Sequence, residues 1–118
     1  IKVFNNGNLK RDFTYIDDII NSIYLLIEKD MSLIKGINRL LNIGNNKSIK
    51  LLDFISKLEA SLKKKAKMEL LPMQKGDVLQ TYANIDKLIK ITGYRPRTNL
   101  DEGLEKFTFW YNNYITSL

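Results

Sequence analysis

The stretch Arg11-Asp12-Phe13-Thr14-Tyr15-Ile16-Asp17-Asp18-Ile19-Ile20 joins a charged turn to an amphipathic helix, and the other elements are placed outward from it. Thr14 stands where an N-cap belongs, and Asp17, three residues on, favours the free N–H groups and the positive helix end. Ile16, Ile19, Ile20, Ile23, Tyr24 and Ile27 recur at i, i+3, i+4 spacing, which predicts a helix over about Tyr15 to Lys29 with that stripe buried. Asp17 and Asp18 are neighbours on this helix and point about 100° apart, so they serve capping and the dipole rather than a shared-proton dyad. Arg11 is the polar residue left over. A guanidinium just before a helix is either a fork-shaped donor for a phosphate or carboxylate, or a surface cation paired with a nearby acid.

Upstream, Ile1 to Phe4 reads as a short strand and Asn5-Asn6-Gly7-Asn8 as a turn, with a loop carrying Lys10 and Arg11 into the helix. Downstream, Asp30 to Gly36 is a connection, and Arg39 to Ile43 is a compact apolar run that predicts a buried strand closed by Gly44-Asn45-Asn46. Ser48 is placed to cap a helix reaching about Lys64, with Leu51, Leu52, Ile55, Leu58 and Leu62 on its apolar face. Met68-Glu69-Leu70 alternates like a strand, Pro72 ends its pairing, and Gln74-Lys75-Gly76-Asp77 is a polar loop. A short helix over Ile85 to Ile91 follows, with Asn84 as its cap and Gly93 past its end. Arg95-Pro96-Arg97 is extended, because the residue before proline avoids the helical region. The last helix starts after Thr98 or Asn99 and carries Leu104, Phe107, Tyr111, Tyr114 and Leu118 on one side. Strands alternating with helices indicate an α/β class, with too few strands for a complete doubly wound sheet.

The chain of 118 residues is 44% hydrophobic and 27% charged, enough apolar material for a folded unit of ordinary domain size. It has neither cysteine nor histidine, which removes disulfides, thiolate chemistry and imidazole chemistry from this stretch. No apolar run approaches the ~20 residues of a membrane span and no signal-peptide pattern opens the chain. A cytoplasmic protein without a membrane or nucleic-acid partner is therefore expected. The net charge of +6 raises nucleic acid as a partner, but its densest cluster, Lys63-Lys64-Lys65 with Lys67, sits at a helix end where cations complement the dipole. A small basic interaction module using that cluster is the rival reading. The aromatics Phe107, Phe109, Trp110, Tyr111 and Tyr114 fall at helical spacing, which favours a core or interface face over base stacking. Ile1 opens without an initiator methionine and inside a strand, so a piece of a longer protein is expected.

Ile1-Lys2-Val3-Phe4-Asn5-Asn6-Gly7 with Arg11 to Asp18 resembles the C-terminal part of nucleotide-sugar epimerases of the extended short-chain dehydrogenase/reductase superfamily, UDP-glucuronate 4-epimerases above all. The likeness continues through Asn42-Ile43-Gly44, Leu71-Pro72-Met73-Gln74-Lys75-Gly76-Asp77-Val78, Gly93-Tyr94-Arg95-Pro96, Glu102-Gly103-Leu104 and Trp110-Tyr111, and so covers nearly the whole chain. It implies the substrate-binding portion of a fold in the NAD(P)-binding Rossmann superfamily, with the Rossmann nucleotide-binding half absent and residues 1–118 forming one UDP-sugar-binding portion. By position it implies that Arg11 approaches the diphosphate or the sugar acid, that Phe4 lies by the uracil, that Asp77 accepts from the ribose hydroxyls, and that Gln74 stands where galactose-type enzymes carry a phosphate-binding arginine. Lys75 replaces a frequent proline and Asn84 a frequent aspartate, which puts any role for the latter carboxylate in doubt.

The resemblance further implies a homo-oligomeric parent in which NAD, bound by the missing N-terminal portion, removes hydride at the sugar's C4 and returns it to the other face. Within this chain there is no Gly-x-Gly-x-x-Gly and no Tyr with Lys four residues on, so catalytic and cofactor-binding residues are expected to be absent from it, and the chain alone to be inactive. A nucleotide-sugar dehydratase or decarboxylase of the same superfamily is the near alternative.

Overall fold

The computed structural model describes residues 1–29 and 40–117. Its elements are β1 (Lys2–Val3), β2 (Lys10–Asp12), α1 (Ile16–Glu28), β3 (Ser48–Lys50), α2 (Leu51–Leu62), β4 (Glu69–Leu70), α3 (Asp86–Thr92) and α4 (Leu100–Thr116). They fall into two compact units, one of residues 1–11, 48–81 and 99–118, the other of residues 12–47 and 82–98.

In the first unit β1 pairs in parallel with β4, Lys2 opposite Glu69 and Val3 opposite Leu70. The expected strand through Phe4 stops one residue early. Phe4 opens a 3-10 turn to Gly7, and Asn5 and Asn6 take φ of 49° each, a left-handed conformation that asparagine tolerates better than most residues. The Asn5 amide donates to the Asn8 carbonyl at 2.9 Å, and the Asn6 N–H donates to Leu71 at 3.0 Å. Gly7 is required twice over, by its φ of 81° and by Leu52, whose Cδ2 would lie 2.6 Å from an added Cβ. Lys10 and Arg11, expected in a loop, lie in strand β2, which pairs with β3 in a second two-stranded sheet.

That second sheet corrects the reading of Ser48. Residues 48–50 are strand, α2 follows at once, and Lys50 occupies the N-cap position without a side-chain bond; the Ser48 hydroxyl is buried with no hydrogen-bond partner among the described residues. Helix α2 ends on Lys63 in the left-handed conformation and packs against α4, burying Ile55, Leu104 and Thr108. Ser61 and Thr108 hydroxyls meet at 2.7 Å across this contact, and Lys57 pairs with Asp101. Of the two expected starts of α4, after Thr98 or after Asn99, the structure takes the second: Asn99 is the N-cap and accepts from the Glu102 N–H at 3.0 Å. Beyond Thr108 every described residue of α4 is exposed, although Phe107 stacks on Tyr111 at 6.0 Å and Trp110 on Tyr114 at 5.4 Å, with Phe107 tilted against Trp110 at 5.9 Å.

In the second unit α1 packs against α3, and Ile85 and Leu88 are fully buried. Ile85, not the expected Asn84, is the N-cap of α3 and no side-chain bond caps it; Asn84 Oδ1 instead accepts from the Asp86 N–H two residues on at 2.9 Å, and Gly93 ends the helix with φ of 72°. Three further expectations are corrected here. Tyr15, not Thr14, is the N-cap of α1, and no side-chain bond caps it. More consequentially, α1 buries Asp18 and Ser22, while Ile16, Ile20, Ile23, Tyr24 and Ile27 are exposed, Ile27 by 74%. The expected strand fails too: residues 40–43 form no ladder and Leu40 is 78% exposed, because no described strand offers them backbone partners. Arg39, the connection 30–36 and Leu118 lie outside the described residues. No described helix is long and apolar enough to cross a membrane.

Candidate functional site

Strand β2 is held from one side by a second stretch of chain running parallel to it. The Lys10 N–H donates to Leu79 at 2.9 Å, the Thr81 N–H donates to Lys10 at 3.1 Å, and Lys10 bridges Gln80. Just before that stretch the chain reverses at Gln74–Asp77, where the Asp77 N–H donates to the Gln74 carbonyl at 3.2 Å. Gly76, third in this turn, has φ of 84°, a position where any side chain is strained. The reversal and the parallel pairing together bring Asp77 to Arg11, 66 residues away in sequence.

The Arg11 Nη2 donates to Asp77 Oδ1 at 2.7 Å and Nη1 donates to the Lys10 carbonyl at 2.8 Å. The Val78 N–H also donates to Asp77 Oδ1, at 2.8 Å, which fixes the carboxylate. Both side chains are largely covered, 22% exposed for arginine and 31% for aspartate. Of the four candidate residues, these two are therefore in direct contact. Gln74 shares the Asp77 turn and is exposed; Phe4, half-buried, opens the 3-10 turn after β1 in the same unit, with no hydrogen bond or ring contact to the pair. Both readings of Arg11 meet here. It is paired with an acid, and that acid is the second residue singled out for binding.

Consecutive strand residues face opposite ways, so Lys10 looks away from the Arg11 side. On the Lys10 side a cleft of about 470 Å³ is lined by Gly7, Lys50, Leu52, Asp53 and Leu79. It is separate from the ion pair. Among the described residues no group of acids could hold a metal ion. Among the described residues, Gly7 lies against Leu52, Gly76 closes an open turn and Gly93 ends a helix.

Two acids organise the second unit: Asp12, not singled out in the sequence, and Asp18, expected there to serve only the cap and dipole of α1. Asp12 Oδ1 accepts from the Asn45 N–H at 3.0 Å, and its Oδ2 from Asn46 at 3.1 Å and Ala83 at 2.9 Å. Gly44 makes this possible, since an added Cβ would stand 2.4 Å from Ala83 Cβ and 3.1 Å from Asp12 Oδ2. Asp18 accepts from the Tyr94 hydroxyl at 2.5 Å and the Thr98 N–H at 2.9 Å, and Ser22 donates to the Asp18 carbonyl at 2.7 Å. Burial pushes the Asp18 carboxyl up, but the bonds from Tyr94 and Thr98 outweigh it and hold the group below the ordinary aspartate value. Asp12 and Asp18 are thus structural. The lysine cluster reads the same way at Lys65, which pairs with Glu59 at 2.7 Å; that bond and the Ala66 N–H hold the Glu59 carboxyl below its usual range.

Residues 2–107 match the family model described as GDP-mannose 4,6 dehydratase. An uncharacterized protein of Methanocaldococcus jannaschii is 46% identical over 94% of this chain and 32% of its own length. UDP-glucuronate 4-epimerase 4 of Arabidopsis thaliana is 39% identical over 95% of this chain and 28% of its own. The crystal structure of UDP-glucuronic acid 4-epimerase from Bacillus cereus in complex with UDP-glucuronic acid and NAD superposes with a TM-score of 0.81 at 33% identity, covering 96% of this chain and 35% of that one. The chain spans about a third of the length of the relatives it matches.

Proposed function

We propose, from the premise that this chain belongs to the GDP-mannose 4,6-dehydratase family and has the α/β fold of the C-terminal portion of extended short-chain dehydrogenases/reductases, that it forms the nucleotide-sugar-binding part of an NAD-dependent UDP-glucuronate 4-epimerase. The observation that carries the reading is the Arg11–Asp77 pair, which joins the two stretches singled out for binding at 2.7 Å. A guanidinium supplies parallel N–H donors for a diphosphate or a sugar carboxylate, and a carboxylate beside it accepts from ribose hydroxyls. Gln74, in the Asp77 turn, adds a neutral amide near the same anion, and Phe4 offers a ring face to the base. These residues bind and orient; hydride transfer belongs to a dinucleotide-binding half that this chain's residues do not build. The protein works as a homo-oligomer in the cytoplasm on this reading.

Calorimetric titration tests it. UDP-glucuronate is expected to bind the protein more tightly than GDP-mannose, and the 118-residue chain alone is expected neither to bind NAD tightly nor to turn over any UDP-sugar. Turnover by this chain alone, or a preference for GDP-mannose, would overturn the reading. The description of the family model favours a nucleotide-sugar dehydratase as the second reading. Product analysis of the full-length protein separates the two, since epimerisation conserves mass and dehydration loses water.

A further inference from the structure

The Arg11–Asp77 ion pair does more than neutralise two charges. The carboxylate is itself fixed, by the Val78 N–H on the same oxygen at 2.8 Å and by the Gln74–Asp77 turn beneath it. The guanidinium is fixed from its other side, because Nη1 donates to the Lys10 carbonyl at 2.8 Å. One hydrogen from each terminal nitrogen is committed, and the remaining N–H groups of a planar fork then have a set direction. An arginine held this way meets an anion without first losing its rotamer freedom, a cost that a free side chain bears on binding.

We infer that Asp77 is the positioning residue for Arg11, and that ribose binding at one and diphosphate binding at the other are coupled through their shared ion pair. The inference rests on the nucleotide-sugar reading of this site and adds to it a dependence of phosphate affinity on a carboxylate. Without that coupling, removing an acid next to the binding cation should strengthen anion binding by relieving competition. With it, removing the acid weakens anion binding, so the two accounts differ in sign.

The test compares uridine with UDP, since the ratio of their affinities isolates what the diphosphate adds. In wild type UDP binds more tightly than uridine. In Asp77→Asn, which keeps the side chain's shape, the ratio is expected to fall on the order of tenfold. Asp77→Glu, which keeps the carboxylate, is expected to recover most of that loss and also controls for a general disturbance of the turn. In the double variant Arg11→Lys with Asp77→Asn, the ratio is expected to be no lower than in Arg11→Lys alone. An unchanged or increased ratio in Asp77→Asn would overturn the inference while leaving the binding reading intact. A wild type that binds neither ligand overturns the binding reading, and this inference with it.

Discussion

Single residues in this chain are constrained most tightly where a carboxylate collects N–H and O–H donors. Asp18 is 4% exposed and accepts from Tyr94 and Thr98, which makes its ionised form part of the fold. Its folded pKa lies below the unfolded value, so the unfolded chain binds more protons in the acid range and stability rises with pH there. The contribution is present in full above the ordinary aspartate pKa and is lost as pH falls through the depressed folded value. Tyr94→Phe is expected to cost about 1.5–3 kcal/mol near neutral pH, as a bond to a charged group does, and to lessen the loss of stability on acidification. Thermal melts from pH 7 to pH 3 check both, and a variant with unchanged acid sensitivity would refute the assignment. Nothing in the sequence marks Asp18 for this role, because its partners stand 76 and 80 residues away. Asp12 was equally hidden, since its three backbone donors come from two remote loops. The start of α4 was legible to within one residue, Thr98 or Asn99, because Asp101 and Glu102 mark its first turn.

Helices survived the passage from sequence to structure better than strands, and for a local reason. A periodic stripe is written in neighbouring residues, so α1, α2, α3 and α4 all appear near their expected positions. Strands β2 and β3 are three residues each, Lys-Arg-Asp and Ser-Ile-Lys, with no alternation to betray them. They exist because remote backbone pairs with them. The stripe of α1 teaches a different lesson. Periodicity states which side chains share a face but not which face this chain covers, and here α3 takes the side of Asp18 and Ser22. Ile16, Ile20, Ile23, Tyr24 and Ile27 are left exposed, a contiguous apolar row of the kind that drives association. The chain is therefore expected to self-associate as its concentration rises. Ile20→Lys with Ile27→Lys is expected to reduce that association with little change in melting temperature, since both side chains already face solvent. Light scattering over a concentration series decides it: a wild type that stays monomeric throughout contradicts the expectation.

For the molecule as a whole, the positive charge and the unpaired apolar faces matter less than the joining of two distant motifs. The Arg11 stretch and the Gln74–Asp77 turn were singled out separately in the sequence, and they meet in one ion pair. Their meeting was not legible, because it depends on residues 79–81 lying alongside Lys10. We propose above all that Arg11 contacts the anionic groups of a UDP-sugar. A titration of UDP-glucuronate into wild type and Arg11→Lys, with thermal melts alongside, tests it most directly. Lysine keeps the charge and loses the fork, so the expected result is affinity weakened by on the order of 1–3 kcal/mol, a larger loss than in Asp77→Asn, with melting temperature nearly unchanged. Equal affinities, with a stability change of roughly 0–1 kcal/mol, would make Arg11 a surface cation serving its pair with Asp77 and would contradict the account.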